Sequence, residues 1–338
     1  MAHDILCFGE ALIDFHSEGR NERGFPRAFV PFAGGAPANV AVAVARLGGR
    51  GAFVGMLGSD LFGNLLLDSL NAAGVDCRGV ARTGEANTAL AFVAHDARGE
   101  RSFTFYRPPS ADLLFRPQHF REDSFRDAAV LHVCSNSLTD PALAETTREG
   151  MRRARAASAL VSCDLNLRPA LWPREVDPRS EVWPTLALAD LVKLSKEEFA
   201  WLATEGEEAA LERLWQGRTR LLIVTDADQP IRWFHPDAEG VLPVYAVPMI
   251  DSTAAGDAFV GGLLHRLALD GVASGAALDQ LVSELPRLHT TLRFAAACGA
   301  ITVTRQGSFT AMPEESEVLA FMETPAVPAS QVSASATH

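Results

Sequence analysis

The sequence of 338 residues has very little lysine and a clear excess of negative charge. It contains 42 Asp and Glu against 30 Lys and Arg, with a formal net charge of −12, and its only lysines are Lys193 and Lys196. This balance argues against a nucleic-acid partner, because affinity for a phosphate backbone comes mostly from basic side chains. Neither lysine follows a glycine, so the phosphate loop GxxxxGK[ST] is absent. Any phosphate must be held by backbone amides and arginines.

Cysteine motifs and several common catalytic motifs are also missing. The five cysteines are scattered and include no CxxC pair, so we expect buried thiols rather than disulfides or a zinc site. The patterns GxGxxG, GxSxG and HExxH do not occur. Their absence removes the usual signals of a dinucleotide-binding fold, a serine hydrolase and a zinc protease.

Long apolar runs are lacking as well. A membrane-spanning helix needs about 20 consecutive apolar residues, and no such run occurs. The first ten residues, MAHDILCFGE, do not show the basic and then apolar pattern of a signal peptide. We therefore expect a cytoplasmic protein without a membrane partner. With 48% hydrophobic residues, it can bury a large core.

Short apolar runs alternate with helical patterns along most of the chain. The runs that predict buried strands are DILCFGE, VLHVCS, ALVSCDLN, DLVKLS and RLLIVTD. Helical patterns cover Pro141 to Ala157 and Glu197 to Thr204. This alternation predicts an α/β fold with a doubly wound, mainly parallel sheet and helices on both faces. Ligands of such folds bind at the carboxyl ends of the strands.

Two stretches, at about residues 11–32 and 88–107, break this alternation. The second has an alternating pattern on both sides of DARGE, which predicts a hairpin. Both leave and rejoin the chain near the first strand, so we interpret them as one small β-sheet that forms a lid over the site. Edge strands of the main sheet are the alternative. Residues 1–323 are predicted to form a single domain, and residues 324–338, which have almost no large apolar side chains, a disordered tail.

The stretch PMIDSTAAGDAFVGGLLHRLA, residues 248–268, predicts an anion site. Ala254, Ala255 and Gly256 leave the backbone amides open at the start of a helix, where the positive end of the helix dipole favours a phosphate. Asp257 follows, and its carboxylate could accept a proton from a hydroxyl that attacks a phosphoryl group. A helix cap is the alternative role for Asp257.

Two long segments show a family resemblance. DSTAAGDAFVGGLL and GGAPANVAVAVARLGGRGAFVGMLG resemble the two signatures of the ribokinase-like (PfkB-type) carbohydrate kinases, and the likeness runs from about residue 5 to residue 313. GEALIDF, DLNLRPALW and KLSKEEFAWL are similar to the fructokinase branch. The resemblance implies an ATP- and Mg²⁺-dependent kinase that phosphorylates the C6 hydroxyl of D-fructose. In many members a monovalent cation such as K⁺ also binds.

The resemblance also implies roles for individual residues. The catalytic base falls on Asp257, and the anion hole falls on the amides of Ala254, Ala255, Gly256 and Asp257. Sugar contacts fall on Asp14, Gly34, Gly35, Asn39, Arg107 and Arg168. Nucleotide-side positions are Lys193, Ser195, Thr225 and Ala227. Glu198 matches a glutamate that organises magnesium indirectly, and Asp251 matches a residue of the monovalent-cation site.

One stretch departs from the family pattern, and several interpretations stay open. VTDADQP, residues 224–230, carries Ala227 and Pro230 where the family usually has two glycines, so we expect a phosphate-side loop of different shape or hydrogen bonding. A kinase acting on 2-keto-3-deoxygluconate, ribose or a nucleoside is one alternative. A non-catalytic sugar-binding regulatory protein is another. A homodimer through the lid is also expected, because Phe103 and Phe105 would otherwise be exposed on a thin sheet.

Overall fold

The computed structural model describes residues 5–23, 25–95, 101–126 and 128–323. The predicted tail and the tip of the DARGE hairpin, residues 96–100, lie outside the described residues. The strands are β1 Ile5–Phe8, β2 Leu12–Arg20, β3 Pro26–Gly34, β4 Gly51–Gly58, β5 Asp76–Thr83, β6 Leu90–His95, β7 Arg101–Tyr106, β8 Val130–Cys134, β9 Leu160–Asp164, β10 Leu191–Ser195, β11 Leu221–Asp226, β12 Gln229–His235 and β13 Ala238–Leu242. The helices are α1 Ala36–Arg46, α2 Leu61–Ala72, α3 Pro141–Ala156, α4 Arg179–Leu186, α5 Lys196–Leu202, α6 Glu207–Gln216, α7 Ala255–Leu269, α8 Gly275–Ser283, α9 Leu285–Thr302 and α10 Glu315–Met322.

The main sheet has nine strands in the order β13-β12-β11-β10-β9-β8-β1-β4-β5. All neighbouring strands are parallel except at one edge, where β12 is antiparallel to β11 and to β13. The strand predictions from apolar runs are confirmed as β1, β8, β9, β10 and β11, which lie side by side in the centre of the sheet. Central parallel strands are covered on both faces, which explains why their sequences are almost continuously apolar.

Two cores cover the two faces of this sheet. In β1, Ile5 and Cys7 point into one core, whereas Leu6 and Phe8 point into the other, as the alternation of a strand requires. The first core is shared with α1, α7 and α9, and the second with α3, α4, α5 and α6. The predicted doubly wound α/β architecture is confirmed.

Small residues let α1, α7 and α9 pack closely. A Cβ added at Gly261 of α7 would collide with the Cβ of Ala43 in α1, and one added at Gly262 would lie 2.6 Å from the Sγ of Cys298 in α9. The run of alanine and valine in α1 is buried over most of its length. This packing brings the start of α7 against α1, and the candidate site is built at that contact.

The predicted second sheet is present. It has four strands in the order β3-β2-β6-β7 and is separate from the main sheet, so the alternative of edge strands is wrong. One face of this lid points to a cavity and carries Asp14 and Phe105. The opposite face carries aromatic rings that contact one another, including those of Phe92 and Tyr106. The expectation that Phe105 lies on an exposed face is therefore wrong, because strand alternation turns it toward the cavity.

Two further observations concern the described part of the chain. None of its helices has the length and apolar character needed to cross a bilayer. All five cysteines are free thiols, and four of them are buried, as expected from their scattered positions.

Candidate active site

A cavity of about 380 Å³ lies between the lid and the carboxyl ends of the central strands. The lining residues are Glu10, Leu12, Asp14, Gly35, Ala36, Asn39, Val93, Phe105, Arg107, Asn136, Asn166, Arg168, Leu171, Ser252, Thr253, Ala254 and Asp257. All the predicted sugar contacts except Gly34 are in this set. The cavity therefore collects residues that are far apart in sequence at the edge of the sheet where ligands of such folds bind.

Asp257 is the third residue of α7 and is buried. Its Oδ2 accepts a hydrogen bond from Asn39 Nδ2 at 2.7 Å, and its Oδ1 accepts one from Asn166 Nδ2 at 3.2 Å. The N-cap of α7 is Ala254, so Asp257 does not occupy the cap position. Burial raises the pKa of the Asp257 carboxyl, although the Asn39 hydrogen bond and the charge of Arg168 act in the opposite direction. The carboxylate is thus oriented and made more basic than an exposed aspartate.

Asn39 lies in the first turns of α1, whose N-cap is Gly35, so Asn39 is not a helix cap. Its amide nitrogen is committed to Asp257, and its Oδ1 has no hydrogen-bond partner among the described residues. Gly35 has a φ of 104°, and a Cβ there would lie 2.6 Å from the Glu10 carbonyl oxygen. Only glycine fits this close approach. Asn39 therefore positions Asp257 and keeps a free acceptor at the cavity.

Asn166 was not singled out from the sequence. It lies two residues after the end of β9 and adopts a φ of 43°, a left-handed conformation that asparagine tolerates better than most residues. This conformation accompanies the hydrogen bond from its side-chain amide to Asp257. The available signal was an asparagine just beyond the carboxyl end of a predicted strand, in DLNLR.

The residues predicted to form an anion cradle lie at the start of α7. Ala254 has a φ of 60°, and α7 begins at Ala255, so the amides of its first turn have no carbonyl partner within the helix. A Cβ at Gly256 would lie 3.2 Å from Lys193 Nζ, which is itself 3.1 Å from Asp164 Oδ2. The Ala255 amide donates to the Ser252 carbonyl at 3.4 Å, and the small residue at Gly256 leaves room for the buried ammonium group of Lys193 beside the first turn of α7.

The predicted nucleotide-side residues are near one another but do not line the cavity. Ser195 and Thr225 are register partners at the ends of β10 and β11. Ser195 caps α5, and its N–H donates to Glu198 Oε2 at 2.7 Å. The other carboxylate oxygen of Glu198 accepts a hydrogen bond from the Leu167 amide at 2.6 Å. Both oxygens of Glu198 are thus engaged with backbone amides, which fits an indirect role rather than direct coordination.

Ala227 keeps the backbone conformation that a glycine would adopt. Its φ is 46°, in the turn between β11 and β12, so the replacement of glycine does not remove the left-handed turn. Pro230 is the second residue of β12 and has no N–H. Compared with the two glycines of the family pattern, the VTDADQP loop therefore lacks one N–H donor, at Pro230, and holds Ala227 in a strained backbone conformation.

Asp251 lies before the cradle and is buried. Its Oδ1 accepts a hydrogen bond from the Thr253 amide at 2.9 Å, and its Oδ2 accepts one from the Gly307 amide at 3.1 Å. It therefore ties the loop before α7 to the segment that follows α9. No group of three or more His, Cys, Asp or Glu able to hold a metal ion occurs among the described residues. The cation role of Asp251 stays a prediction.

The two predicted sugar-binding arginines differ in environment. Arg107 is buried and forms an ion pair with Asp112, with a distance of 2.7 Å between Nη2 and Oδ2. Arg168 is exposed, and its Nη1 donates to the Leu167 carbonyl at 3.3 Å. The charge of Arg168 lowers the pKa values of both Asp14 and Asp257. Arg107 is thus fixed in position, and its charge acts on Glu10, whereas the charge of Arg168 acts on Asp14 and Asp257 and opposes the rise in their pKa values that burial causes.

Comparison with known proteins decides the family. The model of the pfkB family carbohydrate kinases matches residues 2–315. The chain belongs to the pfkB carbohydrate kinase family. The kinase is 42% identical to fructokinase-1 of Oryza sativa subsp. japonica, over 94% of this chain and 97% of that protein. The predicted family and enzyme class are confirmed.

Solved structures of related kinases agree with this fold. A fructokinase with bound ATP from Xylella fastidiosa shares 55% identity and a TM-score of 0.91, covering 96% of this chain and 99% of that one. A fructokinase from Vibrio cholerae O395 in its fructose, ADP and calcium ion bound form shares 31% identity and a TM-score of 0.82, covering 95% and 99%. The predicted ribokinase-like fold with a small separate sheet is confirmed.

Asp14 is the cavity carboxyl of the kinase that lies on the lid. Burial and the charge of Asp257 raise its pKa to about 7, although Arg168 acts in the opposite direction. Gly34 is buried under this side chain, and a Cβ at Gly34 would collide with Asp14 Oδ2. Gly34 therefore makes room for Asp14, and its contact with the sugar stays a prediction.

The pKa of Asp14 predicts how sugar binding depends on pH. The group is protonated below about pH 7 and ionised above it, and only the ionised form accepts hydrogen bonds with both oxygens. We expect kcat/KM for the sugar to rise as the pH increases through about 7. Asp14→Asn should lower kcat/KM about 10- to 100-fold above this pH and remove that rise. The exposed variant Asp68→Asn serves as the control, and an unchanged pH profile in Asp14→Asn would contradict the assignment.

Proposed function

We propose that the kinase transfers the γ-phosphoryl group of ATP to the C6 hydroxyl of D-fructose. The observation that carries the proposal is the buried Asp257 carboxylate, which two asparagine amides hold in the first turn of α7. Similarity to fructokinases over nearly the whole chain supports fructose as the acceptor. The Vibrio cholerae relative, which was solved with fructose and ADP, supports it further.

The reaction is an in-line displacement. The C6 oxygen attacks the γ-phosphorus, the bond from that phosphorus to the bridging oxygen of ADP breaks, and ADP leaves. The hydroxyl proton passes to Asp257, whose raised pKa makes it a better acceptor. Asn39 and Asn166 hold the carboxylate during the transfer. Because Asp257 is buried, bulk water competes little with the sugar hydroxyl.

The phosphate is held without a lysine loop. The amides of residues 254–257 and the positive end of the α7 dipole bind the transferring group. Lys193, whose pKa is raised by Asp164 and Glu198 despite its burial, stays charged beside Gly256. The Mg²⁺ that accompanies ATP supplies further charge neutralisation. Glu198 acts on it indirectly, and Asp251 shapes the loop at which a K⁺ ion would bind.

A panel of acceptors tests the proposal. ADP release with Mg-ATP is measured for fructose, ribose, a nucleoside and 2-keto-3-deoxygluconate. We expect fructose to give the highest kcat/KM, because the similarity lies with fructokinases. A higher value for another sugar would assign the kinase to that acceptor. No ADP release with any of them would favour the non-catalytic alternative.

Removing the basicity of Asp257 tests the mechanism. Asp257→Asn keeps the size of the side chain and an oxygen that accepts from Asn39, and Asn166 can turn its amide so that its oxygen faces the new NH₂ group, so folding and fructose affinity should be retained. General-base catalysis contributes about 10²- to 10⁴-fold, so kcat should fall by about that factor. The exposed variant Asp68→Asn is the matched control. The measurements are kcat from coupled ADP release and fructose affinity from calorimetry, and a kcat within a few-fold of wild type would exclude Asp257 as the base.

The lid is the proposed homodimer interface. On its face away from the cavity, the ring of Phe92 contacts Phe15, Phe29 and Tyr106 at centroid distances of 5.0, 5.2 and 5.4 Å. Tyr106 is 65% exposed and Phe29 is 38% exposed. Exposed apolar patches of this kind mark interaction surfaces, and one patch can pair with its own copy about a two-fold axis.

Charges on this face test the interface. Introducing Phe29→Glu and Tyr106→Glu together should convert a dimer into a monomer in sedimentation at micromolar concentration, because two buried charges would face their own copies. Val241→Glu, at a 60% exposed residue of the outer strand β13, is the control and should leave the dimer intact. A monomeric wild-type protein would contradict the interface.

A further inference from the structure

A second carboxylate and asparagine pair lies at the cavity, beside the one that contains Asp257. Glu10 follows β1 and is buried, and its Oε1 accepts a hydrogen bond from Asn136 Nδ2 at 2.9 Å. Asn136 follows β8, the neighbouring strand, and is also buried. Both residues line the cavity. The pair therefore stands at the carboxyl ends of two adjacent parallel strands, where ligands of this fold bind.

The orientation of the Asn136 amide is fixed by its neighbours. The amide of Ala36 donates to the same Glu10 oxygen at 3.3 Å, so Oε1 is an acceptor whether or not a proton is bound at Oε2. The Asn136 group that faces it must then be the NH₂ group, because an oxygen in that place would meet another acceptor. The Asn136 Oδ1 takes no part in the contact with Glu10. It has no hydrogen-bond partner among the described residues.

The same arrangement holds for Asn39. In both pairs the asparagine donates its NH₂ group to a buried carboxyl, and its Oδ1 finds no hydrogen-bond partner within the described part of the chain. A buried acceptor without a donor is unfavourable, and it is explained when a bound ligand supplies the donor. Sugar hydroxyls are donors of this kind.

We propose that Asn136 binds the sugar by accepting a hydrogen bond from a hydroxyl other than the one that is phosphorylated. Glu10 is the positioning residue that keeps the acceptor of Asn136 available. This inference rests on the proposed function and names a specificity contact of the same site. The phosphorylated hydroxyl belongs at Asp257, whose carboxylate is held by Asn39 and Asn166 and not by Asn136.

The test combines variants of Asn136 with sugars that each lack one hydroxyl. The acceptors are fructose, its 1-deoxy, 3-deoxy and 4-deoxy forms and 2,5-anhydro-D-mannitol. In the wild type, loss of the hydroxyl bound by Asn136 should raise KM about 10- to 100-fold. In Asn136→Ala, the KM for fructose should rise by a similar factor. In this variant, the KM for the sugar lacking that hydroxyl should equal the KM for fructose. Asn71→Ala, at an exposed residue of α2, is the control and should keep all wild-type values.

The proposal would be overturned if the Asn136 substitution and the removal of a hydroxyl affected KM independently of each other. If Asn136→Ala multiplies the KM of every acceptor by the same factor, Asn136 contacts none of the removed hydroxyls and its role is structural. Asn136→Ser, which keeps a polar group with a shorter reach, repeats the cycle if the alanine variant does not fold. Independent effects of this kind leave the proposed function standing. A wild type that prefers another sugar overturns the fructose assignment, and the same cycle with deoxy forms of that sugar then decides Asn136.

Two variants of Glu10 test the positioning role. Glu10→Gln can still present an oxygen to the Ala36 and Asn136 donors, so the preference among the deoxy sugars should be kept. Glu10→Leu removes the acceptor and frees the Asn136 amide to turn, so KM for fructose should rise about 10-fold or more while kcat changes little. The discrimination against the deoxy sugar should disappear. Equal effects of Gln and Leu, or a change in kcat alone, would overturn the role of Glu10.

Discussion

The proposed active site depends on keeping a buried carboxylate oriented while its proton affinity stays high. A lysine or arginine bound directly to Asp257 would hold it in place but would lower its pKa, and the group would become a weak base. Asparagine amides avoid this conflict, because they donate hydrogen bonds without a full charge. Asn39 and Asn166 take these positions, and the nearest basic groups, Lys193 and Arg168, act at longer range. Burial then raises the pKa of Asp257.

This constraint extends into the packing of the fold. Asn39 reaches Asp257 only because α1 and α7 approach closely, and that approach requires glycine at position 261 opposite Ala43. Asn166 reaches it from the end of β9 in a left-handed conformation. Three separate elements therefore converge on one side chain. A change in this helix contact, which lies one turn beyond Asp257 in α7 and one turn beyond Asn39 in α1, would be transmitted to the proposed base.

The sequence predicted the elements whose signals are local. Continuous apolar runs predicted the central strands, and the small residues before Asp257 predicted the start of α7, whose role as an anion cradle stays a prediction. Asn166, Glu10 and Asn136 could not be assigned in this way, because their roles depend on which strands become neighbours in the sheet. The packing of Gly34 under Asp14 was not predicted either, since spacing alone does not show which residues of two neighbouring strands face each other. The side of the lid to which Phe105 points was missed for a similar reason.

Alanine at position 254 shifts the free-energy cost of ordering this loop from phosphate binding to folding. A left-handed φ of 60° is unfavourable for alanine by about 1 to 2 kcal/mol relative to ordinary backbone conformations. The packing of α7 offsets this unfavourable free energy when the protein folds, before any nucleotide binds. Glycine at the same position would sample more backbone conformations, so the loop would lose part of its conformational freedom only when phosphate binds. The proposed phosphate cradle is therefore stiffer before phosphate binds than a glycine-based loop would be, and the folded state is somewhat less stable as a result.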